Sequence, residues 1–375
     1  MRGWSRRECA VLGAAAAMDG SIAPAFAEDA FPSPSLDALA QAKGLRFGCA
    51  ISTRDVADPR YRDIVRAECG VLVAENEHKW PFVHPAPSTF TYERGDQLVE
   101  FGEANGLLFR GHNLIWHHPN WLPRWVTNYD FGADPRAEAE GLLRGHIGEV
   151  CRHYGTRIGS WDVVNETIDA VSGAMRETVF TRRLGPQVID IAFRAAREAA
   201  PHAQLVYNDY MSWEAHSAAH RAGVLRFLEG LLARGVPVDA LGVQGHIGTE
   251  NSDSSTGFAT QQEQEWRRFM DEIAGMGLAI LVTEFDVHDK GLPADIAARD
   301  RAVADHARAY LDLMLSYTQV KQVLTWGIVD HRSWLQDRWR RPDRRAKRPL
   351  PYDENYRPKL LRDAIAQAFR AAPSR

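Results

Sequence analysis

Cysteine is scarce in this chain, with four residues in 375. None stands at metal-ligand spacing, which excludes a zinc-stapled or disulfide-dense scaffold. No apolar run is long enough to cross a bilayer, so no membrane-embedded domain is expected. Positive charge is not in excess either. A net charge of −4 lacks the basic face of a general nucleic-acid binder. No glycine-rich phosphate loop follows the first predicted strand, which counts against a dinucleotide-binding open sheet. Internal repeats, low-complexity blocks and linkers are missing too, and one domain is the simplest organisation.

What is present is an ordinary globular composition, 45% hydrophobic and 25% charged, in a chain long enough to bury a core without staples. Eleven tryptophans are a rich supply of flat apolar faces, although most tryptophan in proteins is core. The N-terminus reads as a targeting segment over residues 1–27. Ser5-Arg6-Arg7 precedes an Ala-rich apolar run from Ala10 to Met18, and Ala25-Phe26-Ala27 supplies small residues for cleavage before Glu28. The adjacent arginines suggest twin-arginine export, hence a secreted or periplasmic protein. Cys9 leaves with the leader. Cys49, Cys69 and Cys151 are expected as buried thiols, with one disulfide as the alternative.

From residue 46 onward, strand-like and helix-like segments alternate. The pattern predicts strands at 46–51, 71–75, 108–112, 160–165, 204–208, 240–245, 279–284 and 322–327. Helical periodicity follows each, at about 60–68, 94–105, 136–154, 186–199, 217–234, 260–275, 297–316 and 357–371. Pro186 in a first helical turn and Gly235 just past a helix end fit the usual start and stop signals. Eight alternations predict an α/β fold, a single-domain (β/α)8 TIM barrel over residues 28–375. A doubly wound open sheet is the runner-up.

In such a barrel the C-terminal strand ends carry the chemistry. They present Glu75, Asn76 and Lys79; His112, Trp116 and His117; Asn165 and Glu166; Asn208, Asp209 and Tyr210; Gln244 and His246; Glu284 and Asp286; then Trp326 and Trp334. Any one of these has a bland reading. Glu166, closing Trp161-Asp162-Val163-Val164-Asn165-Glu166, could simply cap a helix. The assembled set has no purpose in a barrel built for stability alone. Glu166 and Glu284 end opposed strands, and glycosidic hydrolysis needs one protonated and one ionised carboxyl. His246, held by Asp286 and bonded to Glu284, would keep Glu284 ionised as a nucleophile. Burial and the nearby charge would keep Glu166 protonated as an acid. Asn165 is placed to bond a sugar 2-OH. A rival reading makes His112, His117, His118, His246 and His288 metal ligands, but their spacing forms no helical ligand pair and leaves the tryptophans and Lys79 unexplained.

Seven segments sharpen this reading. They are Glu-Asn-Glu-His-Lys-Trp at 75–80, Arg-Gly-His-Asn-Leu-Ile-Trp-His at 110–117, Trp-Asp-Val-Val-Asn-Glu at 161–166, Tyr-Asn-Asp-Tyr at 207–210, Gly-Val-Gln-Gly-His at 242–246, Thr-Glu-Phe-Asp-Val at 283–287 and Trp-Gly-Ile-Val-Asp-His-Arg-Ser-Trp-Leu at 326–335. In these and in their order the chain resembles the family 10 glycoside hydrolases, chiefly endo-1,4-β-xylanases. The resemblance implies a (β/α)8 barrel and retaining double displacement on xylan, with Glu166 as acid/base and Glu284 as nucleophile. It places Glu75, Asn76, Lys79, His112, Trp116, Asn165, Gln244, His246, Trp326 and Trp334 around sugars on the non-reducing side, and Tyr210 toward the reducing side. It implies no cofactor and no metal, and we expect a monomer that engages neither nucleic acid nor membrane.

The chain departs from the family pattern at His78, where methionine is usual, at the run Trp116 to Trp125, and at Met211, where asparagine is frequent. A barrel glycosidase for another β-linked polymer and a non-catalytic sugar-binding barrel are the alternatives. Residues 338–348, after the eighth strand, are strongly basic. They read either as a solvated loop or as a preference for xylan with acidic branches.

Overall fold

The computed structural model describes residues 31–248 and 260–375; the leader expected at residues 1–27 lies outside them. The described residues form nine strands: β1 (Arg46–Ile51), β2 (Val71–Ala74), β3 (Leu108–Trp116), β4 (Ser160–Asn165), β5 (Gln204–Asp209), β6 (Ala240–Val243), β7 (His246–Gly248), β8 (Ala279–His288) and β9 (Val320–Thr325). All pairings are parallel. They run β1 to β6 in order, continue from β6 to β8 and β9, and return from β9 to β1. The sheet therefore closes on itself as an eight-stranded barrel. The ninth strand, β7, is the continuation of β6 beyond Gly245, whose φ of 78° breaks the run before it pairs again with β8.

The predicted segments match these elements closely, and three differences concern the site. β3 runs on to Trp116, because Ile115 and Trp116 pair with Val164 and Asn165 after a register shift; His112 and Trp116 thus stand within the strand rather than after it. The sixth strand is interrupted, so Gln244 lies in the break. β8 extends to His288, so that Glu284 and Asp286 share one face by the two-residue alternation of a strand. Short helices at Thr53–Val56, Trp80–Val83, Arg124–Thr127 and Thr181–Leu184 fill loops at the C-terminal end of the barrel.

The main apolar core lies between barrel wall and helices, where Trp161, Val163, Phe285 and Val287 are buried. Inside the barrel the apolar layers are small. Val206, Ala240 and Leu281 form one cluster, and Ala50, Val71, Val73, Leu324 and Trp326 another. Charge fills part of the remainder: Arg110 donates to Asp162 at 2.5 Å, and Asp162 holds His112 at 2.9 Å. A buried pair of this kind needs its hydrogen bonds to offset desolvation.

His78 stands among Phe109, Tyr154 and Trp161 in the outer layer. Burial pulls its imidazole down to about 3, so it packs there as a neutral ring. Cys49, Cys69 and Cys151 are buried free thiols, with the first two sulfurs 3.7 Å apart.

Gly111 lets β3 lie against the Trp161 ring, because a Cβ there would stand 2.0 Å from the ring carbon. Trp161 is fully buried and has nowhere to go. Gly111→Ala is therefore expected to lower unfolding free energy by about 1–3 kcal/mol, the usual cost of overpacking. Urea denaturation followed by tryptophan fluorescence measures it; an unchanged midpoint would refute the packing argument.

Candidate active site

The strand ends surround a cleft of about 1470 Å³. Glu75, Asn76, Lys79, His112, Trp116, Asn165, Glu166, Tyr210, Gln244, His246, Glu284, Asp286, Trp326 and Trp334 all line it. Of the strand-end residues offered by the sequence, His117, Asn208 and Asp209 are fully buried and do not line the cleft; the others are brought to one place.

The cleft is built around Glu284. His246 bridges two carboxylates, with Nδ1 2.9 Å from Asp286 Oδ1 and Nε2 3.2 Å from Glu284 Oε2. Facing a carboxylate with each nitrogen, the ring is best satisfied as a double donor, the imidazolium form. Burial opposes that charge, but Asp286 and Glu284 outweigh it and raise His246 to about 10. The other Asp286 oxygen accepts from Trp334 Nε1 at 2.8 Å. For Glu284, burial alone would favour the neutral acid. The His246 hydrogen bond, with His112 and Lys79 nearby, overrides burial and brings the carboxyl down to about 2.

Glu166 has the opposite environment. Burial is the main cause that raises its carboxyl above the ordinary value; a hydrogen bond from Gln244 opposes it, and the charges of Asp209 and Glu284 add to it. Gln244 Nε2 donates to Glu166 Oε1 at 3.0 Å. The Glu166 backbone has φ of 56°, a left-handed conformation that costs a non-glycine residue about 1–3 kcal/mol. It is held by its own N–H donating to the Asn208 carbonyl at 2.9 Å and by Arg176 Nε donating to the Glu166 carbonyl at 3.2 Å. Two carboxyls in one cleft are thus driven apart, one toward the acid and one toward the anion, as acid/base chemistry on an acetal requires.

A buried amide links Glu284 to Asn165, the chain neighbour of Glu166. Asn208 Nδ2 donates to Asn165 Oδ1 at 2.9 Å and to Glu284 Oε1 at 2.8 Å, while its Oδ1 accepts from Thr283 at 2.7 Å. Asn208 is a strand end in the sequence, with no role that its spacing reports; its signal is a polar residue two before Tyr210. Gly242 makes room for it, since a Cβ there would stand 2.3 Å from Asn208 Oδ1.

On the other side, Lys79 Nζ donates to Asn76 at 3.0 Å and lies 4.8 Å from the Trp116 ring centre and 5.8 Å from that of Trp326. Burial lowers its ammonium, opposed by Glu284, Glu75 and Glu166. Glu75 is raised to about 7 by burial, with Lys79 opposing.

Two further residues act at the cleft, one on its border and one behind it. Trp121 borders the cleft and stacks on Trp116 with ring centres 4.9 Å apart; this is what the run beyond Trp116 contributes. Arg176 donates to Tyr210 Oη at 2.7 Å and pairs with Asp169 at 3.0 Å, which fixes Tyr210 beside Glu166. Met211 is fully buried and faces no cleft. His117 is buried against the Arg176 carbonyl at 3.3 Å. Among the described residues, no group of three or more His, Cys, Asp or Glu side chains is arranged to hold a metal ion.

A parallel barrel whose mouth holds one carboxyl raised and one lowered amid tryptophans fits a glycoside hydrolase. Comparison with known proteins narrows the class. Residues 35–368 match the sequence family described as Glycosyl hydrolase family 10, and the chain belongs to that family. It is 29% identical over 337 residues to endo-1,4-beta-xylanase B of Thermotoga neapolitana, covering 88% of this chain and 90% of that one. It is 33% identical over 309 residues to endo-1,4-beta-xylanase 5 of Pyricularia oryzae, covering 80% and 71%. Native xylanase 10B from Thermotoga maritima superposes with a TM-score of 0.79 at 32% identity, over 89% of this chain and 98% of that one. Xylanase 10B from Thermotoga petrophila, in complex with xylobiose, gives 0.80 at 31% identity, over 91% and 98%.

Two outcomes follow from the geometry. Replacing His246 by Ala removes the donor that depresses Glu284, so burial then raises that carboxyl. The acid limb of the kcat/KM–pH profile should move upward by about 1–3 units, and a profile with an unmoved acid limb would refute the assignment. Gly242→Ala displaces Asn208 and with it Asn165 and Glu284. Misplacement of that kind costs turnover on the order of 10²-fold, and kcat should fall while the thermal midpoint shows the protein still folded. Unchanged kcat would remove Asn208 from the argument.

Proposed function

We propose that the chain is an exported, retaining endo-1,4-β-xylanase in which Glu166 is the acid/base and Glu284 the nucleophile. The observation that carries this is the divergence of the two carboxyls within one tryptophan-lined cleft. The family relationship and the xylanases among its relatives support xylan as substrate. Glu284, held ionised by His246, attacks the anomeric carbon while Glu166 gives its proton to the departing glycosidic oxygen. Bond formation neutralises Glu284. The loss of that charge lowers Glu166, which then takes a proton from the incoming water as base. Asn165, held by Asn208, bonds the 2-OH in the transition state. Lys79, Asn76, Glu75 and His112 hold sugar hydroxyls on the non-reducing side, with Trp116, Trp326 and Trp334 as apolar walls. Tyr210, braced by Arg176, faces the reducing side.

The leader at residues 1–27 supports action outside the cytoplasm. A product profile from unbranched xylan, with the anomeric form followed by NMR, tests the activity. Initial β-products in the form of short oligomers are expected; initial α-products would refute retention, and xylose alone would refute internal cleavage. Glu284→Ala should lower kcat by about 10⁴-fold or more, whereas a sugar-binding barrel would lose little binding.

A further inference from the structure

The basic stretch after β9 divides into two sets. Three of its cations turn inward. Arg341 is buried, pairs with Asp343 at 2.8 Å and donates to the carbonyls of Asp289 and Leu292. Lys347 is buried and donates to the Arg338 carbonyl. Arg348 pairs with Asp300 at 2.7 Å. These contacts clamp the loop, so the reading of the whole stretch as a solvated loop does not hold for them.

Arg338, Trp339, Arg340, Arg344 and Arg345 are exposed, and of these Arg338 and Trp339 border the cleft. Trp339 is 56% exposed and has φ of 47°. A large apolar ring left in water, on a backbone conformation that bulky residues avoid, is a double cost, set against edge contacts with His288 and Trp334 that leave its face open. Its ring stands edge-on to Trp334 with centres 5.4 Å apart. Trp334 itself is tied to Asp286 beside the nucleophile candidate. The Arg338 guanidinium lies 5.9 Å from the Trp334 ring centre. Among the described residues no ion pair engages it. Asp337 is an exposed carboxylate on the same rim, and Arg54 a further exposed cation there.

We propose that Trp339 and Arg338 form a subsite for an acidic sugar branch carried by the xylan chain. The Trp339 face stacks on the branch sugar, and the Arg338 fork takes its carboxylate in the bidentate geometry a guanidinium favours. A rigid platform loses little conformational freedom on binding. This rests on the xylanase reading and adds a branch preference to it.

The test compares kcat/KM on glucuronoxylan, on the same polymer with its carboxyls reduced to alcohols, and on linear xylohexaose. For Arg338→Gln and for Trp339→Ala, the ratio of glucuronoxylan to xylohexaose should fall about threefold to fivefold, the scale of a rim ion pair. Arg338→Lys should retain most of the ratio, and Arg338→Glu should lower it further. With the carboxyl-reduced polymer, Arg338→Gln should change nothing. An unchanged ratio on glucuronoxylan, or an equal fall on the reduced polymer, overturns the subsite. A wild-type protein that leaves xylohexaose intact overturns the xylanase reading itself, and the subsite with it.

Discussion

The hydrogen bonds from His246 to Glu284 and Asp286 are the interaction on which the site depends. Glu284 is buried, and burial by itself would protonate it. A positive imidazolium is what reverses that outcome. The imidazolium in turn survives burial only because Asp286 faces its other nitrogen. Three groups that are each unfavourable alone are stable together, because every charge is hydrogen-bonded to its opposite. Trp334 completes the set by donating to Asp286, which ties the loop after β9 to the same network.

Glu166 follows from the same arrangement. It lies where Glu284 contributes negative charge and where burial acts unopposed by any cation as close as His246. The two carboxyls have similar ordinary pKa values in water, and position alone separates them. Asn208 keeps that position exact enough to be useful. It reaches Asn165 on one strand and Glu284 on another, and its space exists only because Gly242 has no side chain. Polar residues inside the barrel thus take the place of a packed apolar layer near the mouth, while Val206, Ala240 and Leu281 form an apolar layer apart from it.

Much of this was legible in the sequence. Hydrophobic periodicity placed all eight barrel segments within a few residues, because parallel barrel strands are buried on both faces and read as short apolar runs. The candidate site residues were legible because they lie in or just beyond the C-terminal part of a strand, where an apolar run gives way to polar residues. The boundaries that shifted did so for local reasons. β3 continued because Ile115 and Trp116 found partners on β4, and the sixth strand broke at a glycine with positive φ. Asn208, Trp121, Arg176 and Trp339 were not legible as functional. Their roles come from contacts across strands or from loops whose path no spacing reports.

The sequence by itself determined the alternation, the barrel it implies, the pair of glutamates and the residues around them. These are local properties: period, strand end and side-chain chemistry. Only the tertiary structure supplied the burial and the partner charges that raise Glu166 and lower Glu284, because these come from strands far apart in the chain. It also decided which arginines of the basic stretch are structural and which face the cleft. Charge is written in the sequence, but the direction in which a charge points is settled by the partners that folding places around it.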